Sequence, residues 1–205
     1  LMIINLMSKN KTLVIVESPG KIKNLESILG SDYIVMASVG HIIDLPEKKL
    51  SIDIQNDFTP TYAELENKKK VIADLKRALK VSSNVLLATD EDREGEMIAW
   101  SLAHVLGLKN PNRITFTSIT ENDVLNAVRN PRKIDYALVD AQKTRRILDR
   151  IVGYEISPIL WKSIGQSLSA GRVQSVVTRL IVDREKEIED FLKGQSTSYF
   201  LVTGK

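Results

Sequence analysis

Residues 84–96 read N-V-L-L-A-T-D-E-D-R-E-G-E. An apolar run, Val85 to Ala88, ends at Asp90, and Asp92 and Glu94 follow at alternate positions. A run with no polar alternation suits a strand buried on both faces, as in a parallel sheet covered by helices. Acids at the carboxyl end of such a strand stand where open α/β sheets place their ligands. The spacing therefore predicts that Asp90, Asp92 and Glu94 converge on one point. Hard oxygen donors of this kind suit Mg²⁺, which is held by one or two carboxylates plus waters and phosphate oxygens. The plainer reading is a charged loop capping a helix, because Glu94 and Glu96 also favour a helix N-terminus.

A second apolar run, Lys11 to Val16, also ends on an acid, and the chain continues E-S-P-G-K from Glu17 to Lys21. Ile22, Leu25, Ile28 and Leu29 then recur at helical spacing, with Gly30 as the expected stop. Ser18, Pro19 and Gly20 suit a tight turn that exposes backbone N–H groups at a helix N-terminus, a natural phosphate site. Lys21 adds a point charge there. The segment is not a nucleotide-binding G-x-x-x-x-G-K-[ST] loop: Ile15 stands at the first glycine and Ile22 at the hydroxyl. No nucleotide cofactor is expected. Two strand ends, one with Glu17 and Lys21 and the other with Asp90, Asp92 and Glu94, point to phosphoryl transfer on a polyanion.

Strands near 12–16, 33–37, 84–89 and 113–117 alternate with helical stretches near 22–29, 65–80, 95–106 and 121–129. That alternation predicts an α/β fold with a mostly parallel sheet covered by helices. Thr120 and Asp123 form a capping pair for the last of these helices. Asn130, Pro131 and Arg132 break the pattern, and a helical second domain follows, from about Tyr136 to Gly153 and from Ser169 to Leu192. Ser198 to Val202 reads as a further strand. The chain has no cysteine and two histidines, which excludes a disulfide framework, a cysteine zinc site and a histidine-rich metal site. No run of about 20 apolar residues suggests a membrane span. The net charge of +3 is too small to indicate nucleic acid by itself, but Arg145, Arg146, Arg150, Arg172, Arg179 and Arg184 gather in the C-terminal third.

The pair E-S-P-G-K and D-E-D-R-E-G-E resembles the Toprim (Rossmann-like) domain of type IA DNA topoisomerases. Further segments agree in that family's order: S-V-G-H-I-I-D-L-P at 38–46, F-T-P-T-Y at 58–62, R-I-T-F-T-S-I-T at 113–120 and A-Q-K-T-R-R-I-L-D-R-I-V-G-Y at 141–154. S-P-I-L-W at 157–161, L-S-A-G-R-V-Q-S at 168–175 and R-E-K-E-I at 184–188 complete the set. The S-A-G-R-V-Q-S form resembles the bacterial topoisomerase I branch. The resemblance divides the chain into an N-terminal extension at 1–10, expected to be disordered, and a Toprim-like catalytic and metal domain at 11–132. Part of a helical single-strand DNA-binding domain at 133–193 follows, then the truncated start of another domain at 194–205.

In that family a tyrosine attacks a DNA phosphate, a strand passes through the gap, and the 3′-hydroxyl reseals the break. The resemblance implies that Glu17 is the acid/base beside the leaving 3′-oxygen and that Lys21 contacts the scissile phosphate. It makes Asp90 and Asp92 the primary Mg²⁺ ligands and Glu94 a third, direct or through water. Nearby carboxylates should raise the pKa of Glu17. Helical spacing places Arg146 near Asp149 and Arg150, either as a salt-bridged face or as phosphate contacts with Asp149 holding the guanidinium. The resemblance favours DNA contact for Arg145, Arg146, Asp149 and Arg150. The same holds for Arg172, Gln174 and Ser169, with Ser169 or Ser167 capping their helix. His41 is placed near the site or in a turn. Trp100 and Trp161 are assigned to the core, and His104 to a structural place in a helix.

The family's nucleophile lies in a Y-x-R-T-D/E-S-type motif, and none of Tyr33, Tyr62, Tyr136, Tyr154 and Tyr199 has that context. The expectation is part of a larger enzyme that relaxes negatively supercoiled DNA, acting with the enzyme's remaining domains. By itself the chain is expected to be inactive in cleavage. Its place would be cytoplasmic and nucleoid-associated. Ile43 stands where the family commonly has arginine, Asn67 where it has a glycine-lysine pair, and Ser101 where histidine is frequent. A metal-dependent Toprim nuclease and a non-catalytic single-strand binding module are the alternatives.

Overall fold

The computed structural model describes residues 11–194 and 200–204. The chain divides into two compact units, 1–147 and 148–205. The expected disordered extension at 1–10 lies outside the described residues.

The first unit is built on a four-stranded parallel sheet in the order β2 (Tyr33–Ala37), β1 (Lys11–Val16), β7 (Ser82–Ala88), β8 (Asn112–Arg113). The two apolar runs are neighbours at its centre. Alternate residues of a strand face opposite sides, and this sorts the core into two halves. Leu13, Ile15 and Leu87 pack with α2 (Lys69–Val81) and α3 (Arg93–Leu106), through residues such as Leu75, Ile98 and Leu102. Val14, Val16, Leu86 and Ala88 pack with α1 (Ile22–Leu29) and α4 (Glu121–Arg129), through Leu25, Leu29 and Val124. The sheet is therefore buried on both faces, which is why these strands carry no polar alternation.

Between β2 and α2 the chain makes two small antiparallel pairs, β3 (Ile43–Asp44) with β6 (Ala63–Glu64) and β4 (Ile52–Asp53) with β5 (Thr59–Pro60). The local signals at the helix ends hold. Gly30 ends α1 at φ 74°, and the Thr120 hydroxyl accepts from the Asp123 backbone N–H. The helix expected from 65 opens with a 3-10 turn at Glu66–Lys68 and becomes α-helical at Lys69.

The strand expected over 113–117 is shorter than its apolar pattern suggests. Ile114 still donates its N–H to the Leu87 carbonyl, but Arg113 turns its backbone to exchange both hydrogen bonds with Arg132. The chain then leaves the sheet, and Phe116 packs toward α1 and α4 instead.

α5 (Tyr136–Ser163) passes Gly153 and includes Pro158, ten residues beyond the expected end, so the unit boundary falls within it. Pro158 lacks the N–H that would bond the Tyr154 carbonyl, yet the helix continues. In the second unit, α6 runs from Arg172 to Lys193 with Gly171 as its N-cap. Neither Ser167 nor Ser169 caps it: Ser167 adopts φ 72°, and the Ser169 hydroxyl donates to Gln174 Oε1 at 3.3 Å. Trp161 is not a core residue. It is 48% exposed, and its Nε1–H donates to the Leu168 carbonyl. Of the strand expected at 198–202, residues 198 and 199 lie outside the described residues, and Phe200 to Val202 carry no strand. Among the described residues no helix is long and apolar enough to cross a membrane.

Leu87 is fully buried at the sheet's centre. Leu87→Ala should lower the unfolding free energy by about 2–5 kcal/mol, the usual cost of a large-to-small change in a packed core. Chemical denaturation followed by circular dichroism measures this.

Candidate catalytic and metal site

Parallel pairing brings the ends of β1 and β7 side by side, with Val16 in register with Ala88. Glu17 follows on one strand, and Thr89 and Asp90 on the other. After β1 the chain turns through a 3-10 segment at Pro19–Lys21, where the Ser18 hydroxyl accepts from the Gly20 N–H at 3.4 Å. This turn aims Lys21 back across the strand ends, and its ammonium pairs with the Asp90 carboxylate. Glu17 is half-buried. Burial pushes its pKa above the ordinary glutamate value, and the Asp90 charge adds to this; a backbone hydrogen bond from Asp90 and the Lys21 charge oppose, and Asp92 again raises it. Glu17, Lys21, Asp90 and Asp92 thus form one electrostatic group.

The convergence of Asp90, Asp92 and Glu94 does not occur as expected. Among the described residues, no three His, Cys, Asp or Glu side chains surround a common point. Asp92 is the N-cap of α3 and accepts from the Gly95 N–H at 2.7 Å. Glu94 lies on the first turn of α3 and faces His41, with Nε2 3.4 Å from Oε1. The reason is helix geometry. α3 begins at Arg93, two residues earlier than expected, so Glu94 projects from a helix rather than from an extended loop.

His41 and Glu94 line a cavity of about 270 Å³ with Ile43, Asp44, Tyr62, Met97, Gln142 and Arg146. Burial, with Asp44 nearby and Arg146 opposing, pushes the Tyr62 hydroxyl up to about 12. Arg146 grips Asp44 by two hydrogen bonds, Nε to Oδ1 at 3.0 Å and Nη2 to Oδ2 at 2.5 Å. Asp149 accepts from Arg172 Nε at 2.7 Å. The partners come from distant parts of the chain, which helical spacing does not register. Arg145, like Arg146, is exposed at its position on α5 in the first unit. In the second unit the Arg150 guanidinium lies 5.4 Å from the Tyr154 ring centroid, and Gln174 is exposed on α6. Trp100 packs against the core, stacked on His104 with Lys143 above its face.

A buried group behind the loop carries no role in the sequence reading. Arg113 is fully buried; its Nε donates to Glu96 Oε1 at 2.7 Å, its Nη1 to the Thr89 carbonyl at 2.8 Å and its Nη2 to the Asp90 carbonyl. Burial lowers the Arg113 pKa, and the Glu96 hydrogen bond opposes that. Gly95 completes the arrangement, since a Cβ there would lie 2.0 Å from the Asp90 carbonyl oxygen. An arginine inside a strand pattern was the available signal, but its partners come from elsewhere in the chain.

Two outcomes follow from this geometry. Gly95→Ala must displace backbone, so it should destabilise the fold and disorder the acid loop, read by thermal melting and amide exchange. Glu17 ionises at lower pH in the unfolded chain than in the folded one. Native stability should therefore fall as pH rises from the ordinary glutamate value through the raised one, then level off. Glu17→Gln should remove that fall, so its stability relative to the unmodified protein should grow across the same window. Urea titrations from pH 4 to pH 8 measure this.

A family model described as the Toprim domain matches residues 12–119, and one described as DNA topoisomerase matches 133–205. Over 193 residues the chain is 53% identical to a protein of Acanthamoeba polyphaga mimivirus called "DNA topoisomerase 1 type prokaryotic", covering 94% of this chain and 22% of that one. Full-length topoisomerase I from Thermotoga maritima matches with a TM-score of 0.81 and 51% identity, over 86% of this chain and 30% of that one. The chain spans less than a third of either relative. With two family models in order along it and 51–53% identity to topoisomerase I relatives over the aligned residues, the chain belongs to the type IA DNA topoisomerases, in the bacterial topoisomerase I branch.

Proposed function

We propose that this chain supplies the acid/base, metal-binding and part of the DNA-holding machinery of an enzyme that relaxes negatively supercoiled DNA by transient single-strand cleavage. The observation that carries the reading is the joining of Glu17, Lys21 and Asp90 across the ends of two paired strands. A carboxyl group with a raised pKa keeps its proton to higher pH than an ordinary glutamate, and a proton there is what a departing alkoxide needs. A tyrosine oxygen attacks phosphorus as its hydroxyl proton passes to water, the bond to the 3′-oxygen breaks, and the departing oxygen's electron pair takes the Glu17 proton. Resealing reverses each transfer: Glu17 recovers the proton as the 3′-oxygen attacks, and the leaving tyrosine takes a proton from water. Lys21 leaves Asp90 to pair with the phosphate.

Asp90 and Asp92 offer hard oxygens, and Mg²⁺ takes one or two carboxylates beside waters and phosphate oxygens, so it does not require the three-acid cluster that is absent among the described residues. Burial is the main cause of the raised Glu17 pKa, and the repulsion from Asp90 and Asp92 that adds to it is what a cation relieves. Asp90 and Asp92 would hold the ion, and Glu94, turned toward His41, would act through water. A bound Mg²⁺ would neutralise phosphate charge. Arg145, Arg146, Arg150 and Arg172 are assigned to the DNA backbone, with Asp44 and Asp149 orienting two of them, and Ser169, Gln174 and His41 are assigned as further DNA contacts. The other domains of the enzyme are the partners that bring the nucleophile, since none of the five tyrosines stands in the required motif. The proposed setting is the cytoplasm, at the nucleoid.

Incubation with negatively supercoiled plasmid and Mg²⁺, beside an Asp90→Asn/Asp92→Asn variant, tests this on a gel. The chain alone should leave topology unchanged while binding single-stranded oligonucleotide with a strong salt dependence. Nicked or linear product lost in the variant would establish a nuclease instead. Relaxed closed circles lost in the variant would place the nucleophile among these five tyrosines.

A further inference from the structure

Glu96 lies on the first turns of α3 and is fully buried. Its carboxylate receives three donors: Arg113 Nε at 2.7 Å, Arg132 Nη2, and the Asp135 backbone N–H at 3.1 Å. Arg113 gives its remaining arms to the carbonyls of Thr89 and Asp90. One buried carboxylate therefore joins two places far apart in sequence. The first is the acid loop leading from β7. The second is the Arg132–Asp135 segment that opens α5, the helix bearing Arg145 and Arg146.

The Asp90 carbonyl is confined by two neighbours. The bare Cα of Gly95 lies against it, where a Cβ would come within 2.0 Å, and the Arg113 guanidinium donates a hydrogen bond to it. Stability alone does not call for such a group. Buried ion pairs are often replaced by well-packed apolar residues at no loss, whereas removing one partner leaves an uncompensated charge. What the charged group supplies is direction: the planar guanidinium presents donors at fixed angles, and each carbonyl must sit where a donor points.

We propose that Glu96 is a positioning residue that couples the acid loop to the entry of α5, so that cation affinity at Asp90 and Asp92 depends on a contact neither of them makes. The proposal rests on the reading of those two carboxylates as the metal ligands. Fully buried, Glu96 acts through Arg113 on the loop and through Arg132 and the Asp135 N–H on the helix entry.

Glu96→Gln keeps the shape but removes the charge and one acceptor oxygen. Mn²⁺ binding to this chain, followed by electron paramagnetic resonance, should weaken about 10-fold, the usual scale for losing a group that orients metal ligands. Hydrogen exchange should speed up together at the Gly95 amide, bonded to Asp92, and at the Asp135 amide, bonded to Glu96. Val124→Ala, in the core half on the opposite face of the sheet, should lower the melting temperature and leave Mn²⁺ affinity unchanged. Unchanged Mn²⁺ affinity in Glu96→Gln, or faster exchange at one amide alone, would overturn the coupling. Absence of Mn²⁺ binding by the unmodified chain would count against the metal reading instead, and the exchange result would then decide the coupling. Should Glu96→Gln fail to fold, the unmodified chain in low urea decides. Equal opening free energies and urea slopes at the two amides support the coupling, and unequal ones refute it.

Discussion

Val16 of β1 and Ala88 of β7 pair in register at the centre of the sheet, and the placement of the candidate site follows from that pairing. Each strand is apolar to its last residue because both faces are covered, so the first polar groups appear where the strands emerge. Two emergent ends side by side put Glu17 and Asp90 in each other's field. Lys21, turned back by the Ser18–Pro19 corner, enters the same field. A parallel sheet makes this arrangement available because its neighbouring strands end on the same edge.

Around this edge the first unit balances charge locally, Lys21 with Asp90 and Arg146 with Asp44. Within the second unit Arg172 meets Asp149. These pairs are partly exposed, and exposed pairs contribute little to stability. Their chemical value is orientation and exchangeability: a guanidinium or ammonium held by a carboxylate can be redirected to a phosphate at small cost. The Arg113–Glu96 pair is the opposite case. It is wholly buried, its hydrogen-bonding groups are committed, and it serves the backbone rather than a ligand. The same residue types therefore do different work on the two sides of the acid loop, and burial makes the difference.

Much of the fold was legible locally. The unbroken apolar runs marked β1 and β7, amphipathic spacing marked α1 and α4, and Gly30 and Thr120 marked their ends, because each signal depends on neighbours within a few residues. The failures share a cause. Ile114 and Phe116 looked like strand, but Arg113 diverted its backbone to Arg132. Helical spacing likewise shows nothing of the partners that Arg146 and Asp149 take from elsewhere in the chain, Asp44 and Arg172. Trp161 looked apolar enough for a core, yet it is half exposed with its indole N–H on a neighbouring loop.

The sequence by itself determined the class of fold, the two strand ends that bear the acids, and the family, because periodicity and motif order are properties of the chain. Only the tertiary structure decided what each acid does. Asp92 became a helix cap, Glu94 turned to His41, and Glu96 went inward to hold two arginines. Three acids at alternate positions are equivalent on paper. The start of α3 at Arg93 makes them different, since a helix turns successive side chains by about 100° and sends each toward a different neighbour.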